Sequence, residues 1–205
     1  MNVLVIGAHP DDIEIGCGGS LLKYAQAGHN VYLLVLTCGE VGGDPQVRCQ
    51  EQEASAKNMG AKQVFWGNFA DTRLMNVREL IDKIEETINK VDPQVVFINF
   101  LDDVHQDHRA LAKACLSATR YIKEVLYYEV PTTQNFNPEI FVDIGSVFKQ
   151  KLNLLRLHSS QVNRTRVEDL SILDIANSMA NFRGFQARVK YAEGFSAVRV
   201  LKDIE

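Results

Sequence analysis

The sequence predicts an α/β fold of Rossmann-like, three-layer design: a mostly parallel sheet between helices, followed by a C-terminal elaboration. Short β-branched runs alternate with longer amphipathic segments, the pattern of parallel strands joined by helical crossovers. Turn-forming residues fall at the joints between them. A chain of 205 residues, 46 % hydrophobic and 23 % charged, suffices for one domain with a well-buried core.

Val3-Leu4-Val5-Ile6 marks the first strand, near 2–7, and a helix near 17–27 follows, closed by Gly28. The apolar run from Val31 to Leu36 places a second strand near 31–37, and a helix near 47–59 ends at Gly60. A strand near 63–66 and a helix near 76–90 come next. Asp92-Pro93 then breaks the chain before a strand near 94–100, a helix near 106–120 and a strand near 125–129. The expected strand order is 3-2-1-4-5. After Pro131 the polar stretch Thr132-Thr133-Gln134-Asn135 changes the texture, and a strand near 139–143, helices near 145–157 and 167–180 and a strand near 195–201 complete the reading. Without repeats, low-complexity stretches or linkers, residues 1–205 read as a single domain.

Composition excludes several function classes. The chain carries 22 Lys+Arg against 26 Asp+Glu, a net charge of -4, with no basic cluster to follow a phosphate backbone, so nucleic acid is not an expected partner. Its apolar runs are strand-sized, far short of the roughly 20 residues that span a bilayer. The N-terminus shows neither a basic leader nor a small-residue cleavage site. Cys17, Cys38, Cys49 and Cys115 contain no C-x-x-C pair, which argues against a zinc ribbon or a dense disulfide framework and for a reducing cytoplasm. Cys17 reads as a small hydrophobe, and the other three carry no expected role.

Reactive side chains concentrate in His9-Pro10-Asp11-Asp12, after the first strand, and Asp102-Asp103-Val104-His105-Gln106-Asp107-His108, after the fourth. Strands 1 and 4 are neighbours at the switch point of the expected sheet, where ligands bind beyond the carboxyl ends. Either segment alone suits a turn or helix cap; together they suit a divalent metal with three protein ligands and an open position. His9, Asp12 and one of His105 or His108 can supply that set, adjacent Asp11 can act on the attacking water, and the remaining histidine faces substrate. Gly16, Gly18 and Gly19 do not make a dinucleotide loop, because Leu21 stands where the last glycine is needed and the preceding carboxylates repel pyrophosphate. They instead let a helix approach the sheet. The G-x-S-x-G, H-E-x-x-H and P-loop signatures are missing from the sequence.

The string Ala8-His9-Pro10-Asp11-Asp12, paired with His105-Gln106-Asp107-His108, resembles the PIG-L/LmbE family of metal-dependent N-deacetylases. The likeness continues through Arg48-x-x-Glu51-x-Glu53-Ala54, Tyr127-Tyr128-Glu129 and Tyr191-Ala192-Glu193-Gly194-Phe195, and so covers almost the whole chain. It implies His9, Asp12 and His108 as zinc ligands, a set that also accommodates Fe2+, Co2+ or Mn2+. It further implies Asp11 as general base, His105 as the group that polarises the scissile carbonyl, and Arg48 as a substrate contact. For Arg48 a salt bridge with Glu51 or Glu53 is the competing reading. Asp107 is expected to orient His105 or a ligand from behind, and Asp102 and Asp103 to cap the next helix or line the mouth.

The implied reaction is removal of an acetyl group from an N-acetylated amino sugar or glycoconjugate precursor. Gln106 stands where many members have Pro, so the substrate of those members does not transfer. Three rivals are an amidase for a larger amide, such as a thiol-sugar conjugate, a non-catalytic metal or sugar-nucleotide binding module, which would need neither Asp11 nor His105, and a nicotinamide-dependent oxidoreductase, suggested by the fold alone. Members are commonly oligomeric, often hexameric, which sets the expectation of a homo-oligomer. Pro131-Thr132-Thr133 and Phe182-Arg183-Gly184-Phe185 are expected to build the substrate wall and a subunit contact.

Overall fold

Hydrophobic alternation along the strands divides the core into two layers, one on each face of a seven-stranded sheet. In the computed structural model, which describes residues 1–75 and 77–201, the strands are β1 (Asn2–Gly7), β2 (Asn30–Val35), β3 (Gln63–Trp66), β4 (Val95–Asn99), β5 (Glu124–Tyr128), β6 (Ile140–Asp143) and β7 (Ala192–Val200). The helices are α1 (Asp12–Gln26), α2 (Pro45–Met59), α3 (Val77–Val91), α4 (Gln106–Ala118), α5 (Phe148–Leu157) and α6 (Ile172–Ala187). Successive strand residues face opposite ways. Val3, Val5, Leu33, Phe97 and Tyr128 pack with α1, α2, α5 and α6, while Leu4, Ile6, Leu34, Val96 and Ile98 pack with α3 and α4. The result is a three-layer α/β fold.

Strand order is β3-β2-β1-β4-β5-β7-β6. The first five strands are parallel, as the alternation of strand and helix predicts, and β7 runs antiparallel to both β5 and β6. The C-terminal elaboration therefore extends the sheet, with the last strand inserted inside it.

Boundaries differ from the sequence reading where local chemistry overrides texture. Helix α1 starts at Asp12, five residues before the expected 17, because Asp12 and Glu14 in its first turn suit the positive end of a helix. Helix α6 starts at Ile172 and not near 167: Ser171 and Asp174 form a reciprocal capping box there, and Asp169 just before it has a left-handed φ of 56°. Strand β7 begins three residues early, at Ala192. Position 76, where the third helix was expected to start, lies outside the described residues, as do 202–205.

The α1 glycines do let the helix close on the sheet: a Cβ on Gly16 would stand 2.2 Å from Cδ2 of buried Tyr128. Further along α1, Glu193 of β7 accepts the Gly19 and Ser20 N–H groups at 2.8 and 2.7 Å and the Ser20 hydroxyl at 2.6 Å. Lys151 of α5 donates to the same carboxylate at 2.6 Å and to the Ile15 carbonyl at 2.7 Å. These buried groups tie β7, α1 and α5 together.

The sulfurs of Cys38 and Cys49 are bonded, with Cα atoms 5.7 Å apart, whereas Cys17 and Cys115 are free and buried. The sequence reading gave Cys38 and Cys49 no role. Their pairing ties the loop after β2 to the first turns of α2, and it favours an oxidising setting over the reducing one expected from cysteine spacing.

Candidate metal centre

Because β1 and β4 are hydrogen-bonded neighbours, paired from Val3 with Val95 to Ile6 with Ile98, the segments that follow them open side by side. His9 Nδ1 lies 3.3 Å from His108 Nε2 and 3.5 Å from Asp12 Oδ2, and the latter two atoms are 3.3 Å apart. Tetrahedral ligand atoms at about 2.0–2.1 Å from zinc stand about 3.4 Å from one another, so this triangle has the dimensions of three such ligands.

The second nitrogen of each imidazole meets carboxylate. His9 Nε2 is 3.0 Å from Asp71 Oδ1 and 3.2 Å from Asp107 Oδ2, and His108 Nδ1 is 3.1 Å from Asp103 Oδ2. Such partners orient each ring and turn its other nitrogen toward the triangle. Burial opposes protonation of His9 and His108, yet the surrounding carboxylates outweigh it, raising His9 well above its ordinary value and His108 to about 9. The cluster is thus rich in carboxylate charge, a setting suited to a divalent cation. His9, Asp71 and Asp107 also cluster, but Asp71 accepts the Val41 N–H and Asp107 the Thr72 N–H, so these carboxylates serve as supports for His9.

His105 sits beside the triangle, its ring 4.6 Å from that of His9 and 4.7 Å from that of His108. It caps α4, accepting the Asp107 N–H at Nδ1 over 3.2 Å. That bond assigns the proton to Nε2 and leaves an N–H donor on the ring's free side. Burial and the charges of His9 and His108 hold His105 below its ordinary pKa, in the neutral form.

Asp11 occupies the N-cap of α1 in a left-handed conformation, φ 91°, and its carboxylate makes no capping hydrogen bond. The peptide unit joining Pro10 to Asp11 is gripped at both poles by residues one turn apart on α2. Arg48 Nη2 donates to the Pro10 carbonyl at 2.9 Å, and Gln52 Oε1 accepts the Asp11 N–H at 3.2 Å. Gln52 cannot turn around, because its Nε2 donates to Glu14 Oε1 at 2.7 Å. Burial raises the Asp11 carboxyl to about 6 against the opposing pull of the Arg48 charge.

All seven residues expected at the site come together here, though Arg48 does so differently. Arg48 is buried and its guanidinium is committed to Gly39, Pro10 and Asp11, at 2.7, 2.9 and 3.5 Å. The competing bridges are not made: Glu51 bonds Ser159 and Ser160, and Glu53 bonds Trp66. Asp107 does both expected tasks, its backbone N–H holding His105 and its carboxylate holding His9. Asp103 supports His108, a role the cap assignment did not anticipate. Asp71 and Gln52 were missed, and only the position of Asp71, just beyond the end of β3 beside β2, signals it.

A cleft of about 420 Å³ opens over these groups. Pro131 and Thr132 line it as expected, while Thr133 turns its hydroxyl to Asp103. From α6 the lining residues are Ile172 and Ile175. Phe182 and Phe185, expected in the wall, face outward and are 58 % and 71 % exposed.

Residues 4–119 match the family described as PIG-L: GlcNAc-PI de-N-acetylase. The uncharacterized deacetylase YaiS of Escherichia coli is 38 % identical over 77 % of this chain and 90 % of its own. Diacetylchitobiose deacetylase of Thermococcus kodakarensis is 30 % identical over 96 % of this chain and 82 % of its own. The N,N'-diacetylchitobiose deacetylase of Pyrococcus horikoshii, solved with an inhibitor, superposes with a TM-score of 0.85 at 26 % identity, covering 96 % of this chain and 83 % of that one.

Proposed function

The chain belongs to the PIG-L family, and from that premise we propose that it is a metal-dependent N-deacetylase acting on an N-acetylated amino sugar or sugar conjugate. The observation that carries this reading is the convergence of Asp11 and His105 on the His9, Asp12 and His108 triangle. A module that only binds metal has no use for an uncapped carboxylate on one side and an imidazole N–H on the other.

In this reading His9, Asp12 and His108 hold the cation, zinc by preference, with Fe2+, Co2+ or Mn2+ also suited to the donor set. When bound, the cation polarises the amide carbonyl and makes the attacking water more acidic. Asp11, with its carboxyl at about 6, is a stronger base than an ordinary aspartate and still ionised at neutral pH. It takes the proton as water attacks the acetamide carbon. The Nε2–H of His105 donates to the oxygen that becomes negative, an interaction worth about 3–4 kcal/mol in comparable acyl-transfer sites. The amine must leave protonated. Asp11 is the better source, since His105 already uses Nδ1 as an acceptor and would become an imidazolate. Arg48 acts on substrate through Asp11, whose peptide it holds, and Asp107 through His9 and His105.

The proposal includes a homo-oligomer, for which exposed Phe182 and Phe185 offer an apolar face. No described helix is long and apolar enough to cross a membrane. The test is amine release from N-acetylated amino sugars, free, nucleotide-linked and glycosidic, by zinc-loaded protein. Wild type should release amine and Asp11→Asn should be slower by about 10²-fold or more with its metal retained. His108→Ala should lose metal affinity. Full activity or metal loss in Asp11→Asn would refute the role given to Asp11. Silence across the panel with zinc bound would favour a larger amide or a binding module.

A further inference from the structure

A helix packed on a sheet usually buries an apolar stripe, but α2 buries a polar one. Arg48, Glu51, Gln52 and Ser55, spaced i, i+3, i+4 and i+7 along one face, are all buried. Buried polar groups need partners, and below Arg48 those of α2 fall into two sets. Glu51 accepts hydrogen bonds from Ser159 Oγ, Ser160 N–H and Ser160 Oγ at 2.8, 2.8 and 2.6 Å, which fastens the segment after α5. Gln52 Nε2 and Ser55 Oγ both donate to Glu14 Oε1, each at 2.7 Å.

Glu14 is fully buried in the first turn of α1, where a carboxylate requires a countercharge. Its other oxygen, Oε2, accepts no hydrogen bond and faces His158 Nε2 at 3.5 Å, the one salt bridge of Glu14 among the described residues. His158, at the C-cap of α5, is 1 % exposed, and neither of its ring nitrogens makes a hydrogen bond. Burial opposes its protonation, yet the charges of Glu14, Asp11 and Glu51 raise it above its ordinary pKa. The ring is not what fastens its own segment, since Ser159 and Ser160 do that on Glu51. It faces instead the carboxylate that orients Gln52.

We propose that His158, which does not line the cleft, is a positioning residue for the reaction, acting on Asp11 through Glu14 and Gln52. The imidazole holds one oxygen of Glu14, and the other accepts the Gln52 amide, which keeps Gln52 Oε1 turned to the Asp11 N–H at 3.2 Å. Without the ring, Glu14 is a buried carboxylate lacking its countercharge, and it gains by moving toward water or other donors. Gln52 then loses the acceptor that sets its amide, and the Asp11 peptide loses one of its two grips. The proposal rests on the deacetylase reading, in which Asp11 acts on the attacking water.

The experiment compares metal-loaded wild type with His158→Leu and His158→Gln, by saturation kinetics of amine release with metal analysis and by amide exchange corrected for intrinsic rates. In His158→Leu we expect kcat to fall about tenfold with KM and metal content within about twofold, and His158→Gln, which keeps an N–H donor, to recover part of the loss. Exchange should quicken at Asp11, whose N–H depends on Gln52, and stay unchanged at Ser160, whose N–H depends on Glu51. Added to Gln52→Leu, His158→Leu should lower kcat by no more than about twofold further, because both act through one contact. Should His158→Leu not fold, His158→Gln carries the comparison with a fall of about threefold. Unchanged kcat and Asp11 exchange, a rate loss matched by metal loss, equal quickening at Asp11 and Ser160, or full additivity with Gln52→Leu would overturn the proposal. If wild type releases no amine from any N-acetylated amino sugar, the deacetylase reading fails. Selective quickening at Asp11 would even then sustain the chain from His158 to Asp11, and its absence would overturn that chain as well.

Discussion

Replacing Gln52 with leucine should slow the reaction without emptying the metal site. Gln52 touches no expected ligand; it holds the Asp11 N–H, while Arg48 holds the Pro10 carbonyl of the same peptide unit. The left-handed conformation of Asp11 costs about 1–2 kcal/mol. A charged hydrogen bond from Arg48, about 1.5–3 kcal/mol, and a neutral one to Gln52, about 0.5–1.5 kcal/mol, together exceed that strain. Without Gln52 the Asp11 N–H is left unpaired at a cost of about 1–3 kcal/mol, and strain plus that penalty matches or exceeds what Arg48 alone supplies. A large share of molecules should then relax the peptide and carry the Asp11 carboxylate away from the attacking water. We expect kcat to fall about 10- to 100-fold with KM and zinc content within about twofold of wild type. The assay is saturation kinetics of amine release alongside metal analysis on folded protein. An unchanged kcat, or a loss of rate matched by loss of metal, would refute the clamp.

Gly16→Ala should destabilise the fold by about 3 kcal/mol or more, read as a lowered urea midpoint, because the new methyl would strike the buried Tyr128 ring 2.2 Å away. Burial works against ionisation of Glu51, but hydrogen bonds from Ser160 and Ser159 hold its carboxyl below the ordinary 4.5. Its contribution is therefore complete above that value and is lost as pH falls through the lower folded one. Amide exchange, corrected for intrinsic rates, should show protection at Ser160 declining over that acidic range in wild type but already low in Glu51→Gln. With the Cys38–Cys49 bond in place, denatured protein should titrate two thiols without reductant and four with it. Reduction should cost about 3 kcal/mol of stability, measured by denaturant unfolding, and a bond that persists in protein taken directly from a reducing cytoplasm would contradict the oxidising setting.

The parallel half of the fold was legible because each strand is a short apolar run bounded by turn residues, and the strand order placed His9 and His108 together. What stayed hidden depends on contacts that local pattern does not encode. Asp71 and Gln52 lie outside the two reactive segments, on a loop and a helix face that become site residues only when β2, α2 and β3 are placed beside β1. Asp103 was visible but looked like a cap, since an aspartate before a helix is most often one. Glu193 stood inside a quoted motif without a role, because its partners at Gly19, Ser20 and Lys151 lie in elements far from it in sequence. The cysteine pair depends on how the loop after β2 folds back on α2, which spacing alone does not reveal.

The insertion of β7 between β5 and β6 orders events during synthesis. When the chain has emerged through β5, that strand still presents an open row of backbone donors and acceptors, a template for mispairing. Once α5 has followed, the Lys151 ammonium waits for its carboxylate, because Glu193 lies on β7. A nascent chain halted before Ala192 is thus a sticky intermediate, and closure comes only as the last strand clears the ribosome exit. Cells producing this protein need to shelter the unfinished sheet over that interval, so chaperone occupancy should peak between the emergence of β5 and that of β7.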